Sequence, residues 1–513
     1  MGRDVSAEGG LVSQNADYAP VSAVSNRGKS IVHGKEGANE GSHQNVRGVL
    51  RDNTAIVASV ALFFLWLGIT FQVPDFAVDG TFEPGLVAPW IVVAFCYALG
   101  YLVAVLWYRK IASLFLRRRF LVLVCLVMAA GVTIDIASSW NTDFFGSVSR
   151  VAYVGSILMC LGTTLIVVMT ASIVAQIGAR NTLLVSVAGM LVAATLMVAL
   201  GFMGVWGKDI ARLFVPLAMI PVNLLVFKGM PLRQVFMRGL NKNTAWPHKL
   251  LATSALHGAV FGFYIVAYSA LGVEGSHIAF NGVCYGIAAV VLGVMMVAAQ
   301  TDFNHLIYHR AFPVMAFGML LICVCAEASV LGVGIVAAGY AFLHLIMCGV
   351  CSYLSKQFDL PAPWVISLTT LFFVGGQVIG AGATTLSLWL EAPIGDVAAC
   401  AIFVLLIGSL GLSGIRNVRF GWGVVRPSTD TSTATPQEFA VQYLALDAGL
   451  TSREMEIALC LAEGKKRKQI ADELCVSDQT VKTHVSHIYT KLGIHSKEEL
   501  IELVRERASS FEE

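Results

Sequence analysis

The sequence predicts an all-α protein in two unequal parts: a twelve-span transmembrane helical bundle, made of two six-helix halves, followed by a compact four-helix domain. Three observations carry this. Of 513 residues, 56% are hydrophobic and only 13% charged, with a mean hydropathy of +0.72; soluble domains carry about 25% charged residues. The apolar residues fall into runs of about 20, the length a helix needs to cross the hydrocarbon. The last stretch of about 60 residues breaks that pattern and becomes charged and amphipathic.

The elements follow in order. Residues 1–50 are rich in Gly, Ser, Asn and charge, without an apolar core segment. They are expected to form a disordered cytoplasmic tail, not a signal peptide. Spans are expected at 54–72, 86–107, 120–139, 151–175, 182–204, 211–227, 250–271, 278–299, 312–332, 334–354, 364–389 and 396–415, with a glycine-rich corner at 331–334. The longest polar stretch, 228–249, divides them into halves 51–227 and 250–415; a linker (416–446) and a final domain (447–513) complete the chain. The linker core "PSTDTSTATP" is polar and Pro-flanked, and spans only a few tens of ångströms at about 5–6 Å × √n.

Charge placement orients the spans, because short cytoplasmic loops carry excess Lys and Arg. With the N-terminus inside, the inner loops hold Arg109, Lys110, Arg117, Arg118 and Arg119, then Arg180, then Lys228, Arg233, Arg238, Lys242 and Lys249, then Arg310 and Lys356. The outer loops hold Arg150, Lys208 and Arg212, and the acids Asp75, Asp79, Glu83 and Glu274. Both termini are therefore expected in the cytoplasm, with the bundle in the cytoplasmic membrane and the lipid bilayer as a partner.

The halves also echo each other. "RRRFLVLVCLVMAAGVTID" and "YHRAFPVMAFGMLLICVCAE" each place a carboxylate fifteen residues after a phenylalanine, Asp135 after Phe120 and Glu327 after Phe312. Twelve spans in two parallel halves resemble the major facilitator transporter fold over about residues 51–415. That family's loop pattern after the second span survives here only as basic residues in "WYRKIASLFLRRR".

The final domain has helical punctuation. Thr451 and Glu454 form a capping box, and Gly464 ends the helix they open. A second short helix carries Ile470, Ala471 and Leu474. Ser477 caps a third, along which Val481, Val485, Ile488 and Leu492 form a buried stripe. Ser496 and Glu499 form a second capping box. A tight "CVS" turn joins the second and third helices, the arrangement of a helix-turn-helix.

Residues 450–504 resemble the LuxR-type (NarL-like) DNA-binding domain. Leu450, Thr451, Arg453, Glu454, Glu456, Gly464, Ile470, Ala471, Leu474, Ser477, Thr480, Val481, Lys482, His484, Ile488, Lys491, Leu492 and Gly493 stand where that family's pattern asks. Opposite the buried stripe lie Gln479, Lys482, Thr483, Ser486 and Thr490, residues able to read base edges from a helix in the major groove. The resemblance implies base contacts from Lys482, Thr483 and Ser486 and a phosphate contact from Thr480. Gln479, His484 and Lys491 complete the candidate set, with Lys465, Lys466 and Lys468 of the "KKRK" loop placed to meet phosphates; a merely solvated charge run is the alternative for that loop. Ser486 stands where the family often has lysine. From Leu450 onward there are ten Lys/Arg against twelve Asp/Glu, so the domain is not basic overall and its nonspecific affinity is expected to be weak and salt-sensitive. The family pairs through its fourth helix, which implies a homodimer on double-stranded DNA.

Inside the spans, ionisable residues are costly and default to functional candidates. Asp135 and Glu327 fall in the outer third of their expected spans, His257 in the inner half of the seventh and His344 near the middle of the tenth. With Asn281 and Gln377 they form the candidate ligand set, beside Tyr264, Tyr268 and Tyr285. For the acids the alternative is snorkelling to the surface, and for the histidines and tyrosines it is helix packing. No phosphate loop, metal-ligand cluster or nucleophile–base pair appears in the soluble segments, so neither an enzyme nor a cofactor is expected. Cys348 and Cys351 form a C-x-x-C inside an apolar run, without a second pair. The first and fourth spans contain no Asp, Glu, His, Lys or Arg. The expectation is a membrane-bound LuxR-family transcriptional regulator that senses an unknown small molecule. The alternative is a major-facilitator-type transporter carrying a regulatory DNA-binding domain.

Overall fold

The computed structural model describes residues 46–70, 89–140, 150–230, 236, 246–273, 276–298, 302–357, 360–414, 440–441, 444–445, 448–474 and 477–509. The expected tail before residue 46, the four outer acids named above, Arg233, Arg238, Lys242, the 427–436 linker core and Cys475 and Val476 of the tight turn lie outside the described residues.

In hydrocarbon every backbone N–H and C=O must be satisfied within the segment, which leaves the helix as the spanning element. The first half contains α1 (Val46–Asp52), α2 (Thr54–Thr70), α3 (Pro89–Leu106), α4 (Tyr108–Phe115), α5 (Arg118–Trp140), α6 (Arg150–Val174), α7 (Ala179–Gly201) and α8 (Gly204–Gly229). The second contains α9 (His248–Ala270), α10 (His277–Ala298), α11 (Phe303–Val324), α12 (Ser329–Gln357), α13 (Ala362–Trp389) and α14 (Ile394–Gly414). Among the described residues ten helices, α5 to α14, are long and apolar enough to cross a membrane. The count reaches twelve if α1 with α2, bent by 81°, and α3 with α4, bent by 91°, each count as one span. The chain is thus a multi-pass membrane protein. Helix α1 occupies the end of the segment expected to be tail.

Helix pairing repeats from half to half. Helix α5 packs on α6 as α11 packs on α12, and α2 on α7 as α9 on α13. Likewise α3 meets α6 as α10 meets α12, and α5 meets α8 as α11 meets α14. Across the halves α3 meets α13 and α7 meets α10, which are equivalent pairs under the same exchange. The repetition extends to single residues. A Cβ on Gly131 would lie 2.8 Å from the Gly155 carbonyl oxygen, and one on Gly318 2.7 Å from that of Gly332. Gly162 then packs on Met128, and Gly339 on Met315, at the same offsets from those glycines in each half.

This contact register corrects two expectations. Gly131 corresponds to Gly318, so Asp135 corresponds to Ile322 and not to Glu327. The glycine-rich corner at 331–334 is helical; the break lies at Cys325 and the 3-10 turn Ala326–Ala328. Glu327 is therefore an exposed residue of the short turn that opens the next span, not a residue in the outer third of the ninth. Helix α11 also begins at Phe303, nine residues before the expected start at 312, with Asp302 accepting the His305 N–H at 2.5 Å as its cap. Pro313 has no N–H and its ring crowds the carbonyl four residues back. The helix widens over Ile307–Ala311 into a π turn and continues, with Phe312 N–H reaching the Ile307 carbonyl.

The tightest approach joins α9 and α13. A Cβ on Gly258 or Gly262 would strike the carbonyls of Phe373 or Gln377, and one on Gly376 or Gly380 those of Ala255 or Ala259. Two facing Gly-x-x-x-Gly rows bring the backbones together, the small-residue packing that serves where water supplies no drive for helices to associate.

The C-terminal domain contains α15 (Ser452–Ala462), α16 (Arg467–Glu473), α17 (Asp478–Leu492) and α18 (Lys497–Ser509). Its own core gathers Ile457, Leu461, Ile470, Val481, Ile488 and Leu500. Ala440, Val441 and Ala445 are buried in the same cluster, so the core begins before the boundary expected at 447. Among the described residues there is no strand.

Gly376→Val is expected to force α9 from α13 and destabilise the bundle by about 1–3 kcal/mol or more, the cost of overpacking. Gly375→Ala, where a Cβ meets nothing within 4 Å, is the control. Thermal melts of the detergent-purified protein decide; equal midpoints for both variants would refute the close-approach account.

Candidate nucleic-acid interface and membrane cavity

The C-terminal site is built on an Arg-Glu pair in α15. Thr451 and Glu454 complete the capping box, Glu454 Oε2 accepting the Thr451 N–H at 2.7 Å and Thr451 Oγ1 the Glu454 N–H at 3.3 Å. The same Oε2 holds Lys491 Nζ of α17 at 2.6 Å. Arg453 donates to the Leu474 carbonyl at 2.8 Å, just after α16. One turn of α15 thereby fixes both helices of the helix-turn-helix. Ser477 caps α17 by accepting the Thr480 N–H at 3.0 Å, and Gly493 ends it in the left-handed region at φ 68°. The second expected box differs: Ser496 accepts the Glu499 N–H at 3.1 Å, but Glu499 returns to the His495 N–H at 2.8 Å, one residue earlier than a box requires.

Along α17, Val481, Val485 and Ile488 are buried and Leu492 is half-buried, so the opposite face is free. Gln479, Thr480, Lys482, Thr483, Ser486 and Thr490 are exposed. Lys466 and Lys468 are exposed too, although Arg467 and Lys468 belong to the first turn of α16 rather than to a loop. Lys465 pairs with Glu463 at 3.0 Å. Lys491 is engaged by Glu454 and, at 3.2 Å, by the Gly449 carbonyl, an internal tie. His484 is half-buried, with Nδ1 enclosed and unpartnered. Glu454, His484 and His487 each bring one ligand-type atom within 4.8 Å of the others, but the glutamate is already committed to Lys491 and Thr451.

Within the bundle lies a cavity of about 930 Å³, lined by α2, α3, α6 and α7 of the first half and α9, α12 and α13 of the second. Of the six ligand candidates, it unites His257, His344 and Gln377. The glycine rows explain two of them: His257 precedes Gly258 and Gln377 follows Gly376, so the backbone contact sets both side chains on one wall. His257 Nε2 lies 3.3 Å from the Tyr340 carbonyl oxygen. Its ring centroid is 4.8 Å from Tyr340, 5.1 Å from Phe373 and 5.8 Å from His344. Phe64, from the other half, reaches His344 edge-on at 6.0 Å.

The remaining candidates lie elsewhere. Asp135 is bound by Arg212 at 2.5 Å, and Arg212 also faces Asp209 at 3.8 Å. Asn281 accepts the Tyr264 hydroxyl at 2.5 Å, and neither residue lines the cavity; nor do Tyr268 and Tyr285. The aromatic wall of Phe64, Tyr97, Tyr101, Tyr340 and Phe373 went unread, since aromatic residues in spans carry no positional mark. The Gly-x-x-x-Gly pairs in "HGAVFGF" and "GGQVIGAG" were the available signal for α9 beside α13. For the earlier start of the C-terminal core, it was the helical spacing of Ala440, Val441, Leu444 and Ala445.

Comparison with known proteins bears on the two parts unequally. Residues 448–504 match the family described as bacterial regulatory proteins, luxR family. The oxygen regulatory protein NreC of Staphylococcus aureus is 51% identical over 53 residues, covering 10% of this chain and 24% of NreC. The chain thus spans about a quarter of the length of the curated relatives it matches. Among solved structures, a Major Facilitator Superfamily transporter, FucP, in the outward conformation aligns with TM-score 0.45 at 12% identity, over 70% of this chain and 99% of that one. The human organic anion transporter MFSD10 aligns with TM-score 0.47 at 14% identity, over 71% and 99%. Nothing about the bundle's task follows from likenesses at that level.

Burial works against the charge of Glu454, but Lys491 and the Thr451 N–H and hydroxyl outweigh it, bringing the carboxyl from 4.5 down to about 2. A depressed folded value contributes stability that is complete above the ordinary value and lost as pH falls through the folded one. In melts of a fragment beginning near residue 435, Glu454→Gln should lie below the parent at about pH 7 and converge on it between about pH 4.5 and 2. A gap that ignores pH would refute the ion-pair account. The C-terminal domain is a luxR-family helix-turn-helix domain, carried by a chain that also holds a multi-pass membrane bundle.

Proposed function

We propose that the chain is a membrane-bound transcriptional regulator, and not an enzyme, whose α17 reads the major groove and whose bundle takes a small molecule as input. The observation that carries this is the free face of α17: Gln479, Lys482, Thr483 and Ser486 project from a helix whose other side is packed and whose two ends are capped. Lys482, Thr483 and Ser486 contact bases, while Thr480, Lys466 and Lys468 meet phosphates. His484 and Lys491 act behind that face, holding the helix in position. Two domains pair through α18 to match half-sites about one DNA turn apart.

The Lys/Arg asymmetry supports a bacterial cytoplasmic membrane with both termini inside. Helices α1 and α4 accord with it. They flank the start of one span and the end of the next, which puts both on that same face, and α4 exposes Arg109 and Lys110 there. In this reading the bundle is a sensor with the division into halves 51–227 and 250–415. A cavity walled by both halves also suits a transporter, so uptake is the discriminating measurement.

Lys482→Ala should cost about 1–3 kcal/mol on the selected duplex, whereas Lys466→Ala should weaken all sequences alike and reduce the salt slope by about one. Titrations against specific and scrambled duplexes at two salt concentrations separate these. Undiminished specific binding by Lys482→Ala would place the recognition face elsewhere. For the bundle, transcription from the regulated promoter and uptake into vesicles are measured across candidate small molecules. The sensor responds in transcription without uptake. Uptake of a compound that transcription ignores, or a reporter fused after Arg426 that reads outside, would sink it.

A further inference from the structure

We propose that the bundle's cavity selects an uncharged, largely aromatic molecule with hydrogen-bonding groups, and excludes ions and charged solutes. The inference rests on the reading of the bundle as the ligand-taking part and names the class of ligand it takes.

Charge is the first ground. Among the described residues that line the cavity there is no Asp, Glu, Lys or Arg. Asp135 and Arg212 pair with each other outside it. Glu327 sits exposed on the turn between α11 and α12. A charged ligand leaving water for this site would find no permanently charged partner, only the two histidines, and an unpaired charge in a low-dielectric interior is heavily penalised. An uncharged one meets no such penalty.

Shape and surface are the second. Phe64, His257, Phe261, Tyr340, His344 and Phe373 form one connected ring cluster, with neighbouring centroids 4.5 to 6.4 Å apart. Tilted and edge-on rings present faces and edges that a flat aromatic guest can complete. The volume of about 930 Å³ falls within the about 300–1,000 Å³ of ordinary small-molecule sites.

Unmet hydrogen bonding is the third. Thr170 is buried at 3% exposure on α6, and its hydroxyl has no partner. Thr385 on α13 is half-buried, and its Oγ1 is likewise enclosed without a partner. Buried hydroxyls are usually paired, so one unpaired hydroxyl in each half of the cavity lining marks a place for a ligand's hydroxyl or carbonyl. Thr170 and Phe64 belong to one half, and Thr385, His344 and Phe373 to the other. A guest bridging them has a different affinity for each arrangement of the halves, which is what shifting an equilibrium requires.

The test uses the full-length protein in detergent and reads its thermal midpoint with naphthol and indole, against naphthoate and naphthylmethylammonium as charged congeners of similar shape. Naphthol or indole should raise the midpoint saturably, and the charged congeners should not. Thr170→Val, which keeps shape and loses the hydroxyl, should need about fivefold more naphthol for half-saturation, the equivalent of one hydrogen bond. His344→Phe should change it as well, which separates cavity binding from partition into the micelle. Stabilisation by a charged congener as strong as by naphthol overturns the proposal. So does a lack of saturable effect from both neutral probes, or parent-like half-saturation in both variants. Neutral probes that bind without any transcriptional effect leave the ligand class standing and count against the sensor. A promoter response to charged compounds alone does the reverse.

Discussion

The bundle depends on how closely two backbones can approach. Where α9 and α13 touch, Gly258 and Gly262 face Gly376 and Gly380, and no Cβ fits between the helices. Water cannot press helices together inside hydrocarbon, so contact must come from dispersion and geometry, and only glycine lets main chain meet main chain. Once the two helices are locked, the residues beside the glycines have no freedom of direction. His257 and Gln377 are turned to the same wall, and Phe373 is held against His257. The cavity's chemistry is thus a consequence of a packing contact one residue away.

The C-terminal domain solves the same problem with charge in place of contact. Its helices are short, and α16 has only seven residues, too few to hold themselves in water. Arg453 and Glu454 supply the missing order by reaching in two directions from one helical turn, to the Leu474 carbonyl and to Lys491. Glu454 also caps its own helix, so a single carboxylate sets where α15 begins and where α17 lies. This explains why Lys491, though exposed, is turned toward α15 and away from the row of Gln479, Lys482, Thr483 and Ser486.

How much of this was legible follows from how local each cause is. The capping box at Thr451, the Ser477 cap, the left-handed Gly493 and the Val481–Val485–Ile488 stripe all act within a turn or two, and the sequence displays them directly. That the chain carries ten to twelve apolar spans was legible because hydropathy is additive along the chain. Register across the halves was not. The Phe120–Asp135 and Phe312–Glu327 spacing matched in sequence, yet the Gly131–Gly155 and Gly318–Gly332 contacts set a register five residues different. The Pro313 site shows the same limit. The helix runs on through Pro313, and the π turn just before it accommodates the missing N–H. Asp135 looked like a ligand group for want of knowledge that Arg212, on another helix, answers it.

In the proposed reading of the chain as a sensor, these pieces bear on how a signal would pass from cavity to DNA. Phe64 stands on α2 and meets His344 on α12, so the cavity's centre is itself a contact between halves. Elsewhere the halves meet where α3 lies on α13 and α7 on α10, two equivalent seams on either side of that centre. A guest that tightens the centre must alter one seam relative to the other, because packed helices shift between discrete arrangements and do not stretch. Helix α14, which ends the bundle, packs on α11 and α9, and α9 carries His257 and the glycine row. In that reading, a displacement of the cavity wall would reach the last membrane helix through this direct contact. Only a tenfold change in pairing of the DNA-binding domains is needed to alter occupancy of a two-half-site operator, and that corresponds to about 1.4 kcal/mol of differential binding. A guest satisfying one of the two unpaired hydroxyls in only one arrangement comes close to supplying it, at about 0.5–1.5 kcal/mol for a hydrogen bond.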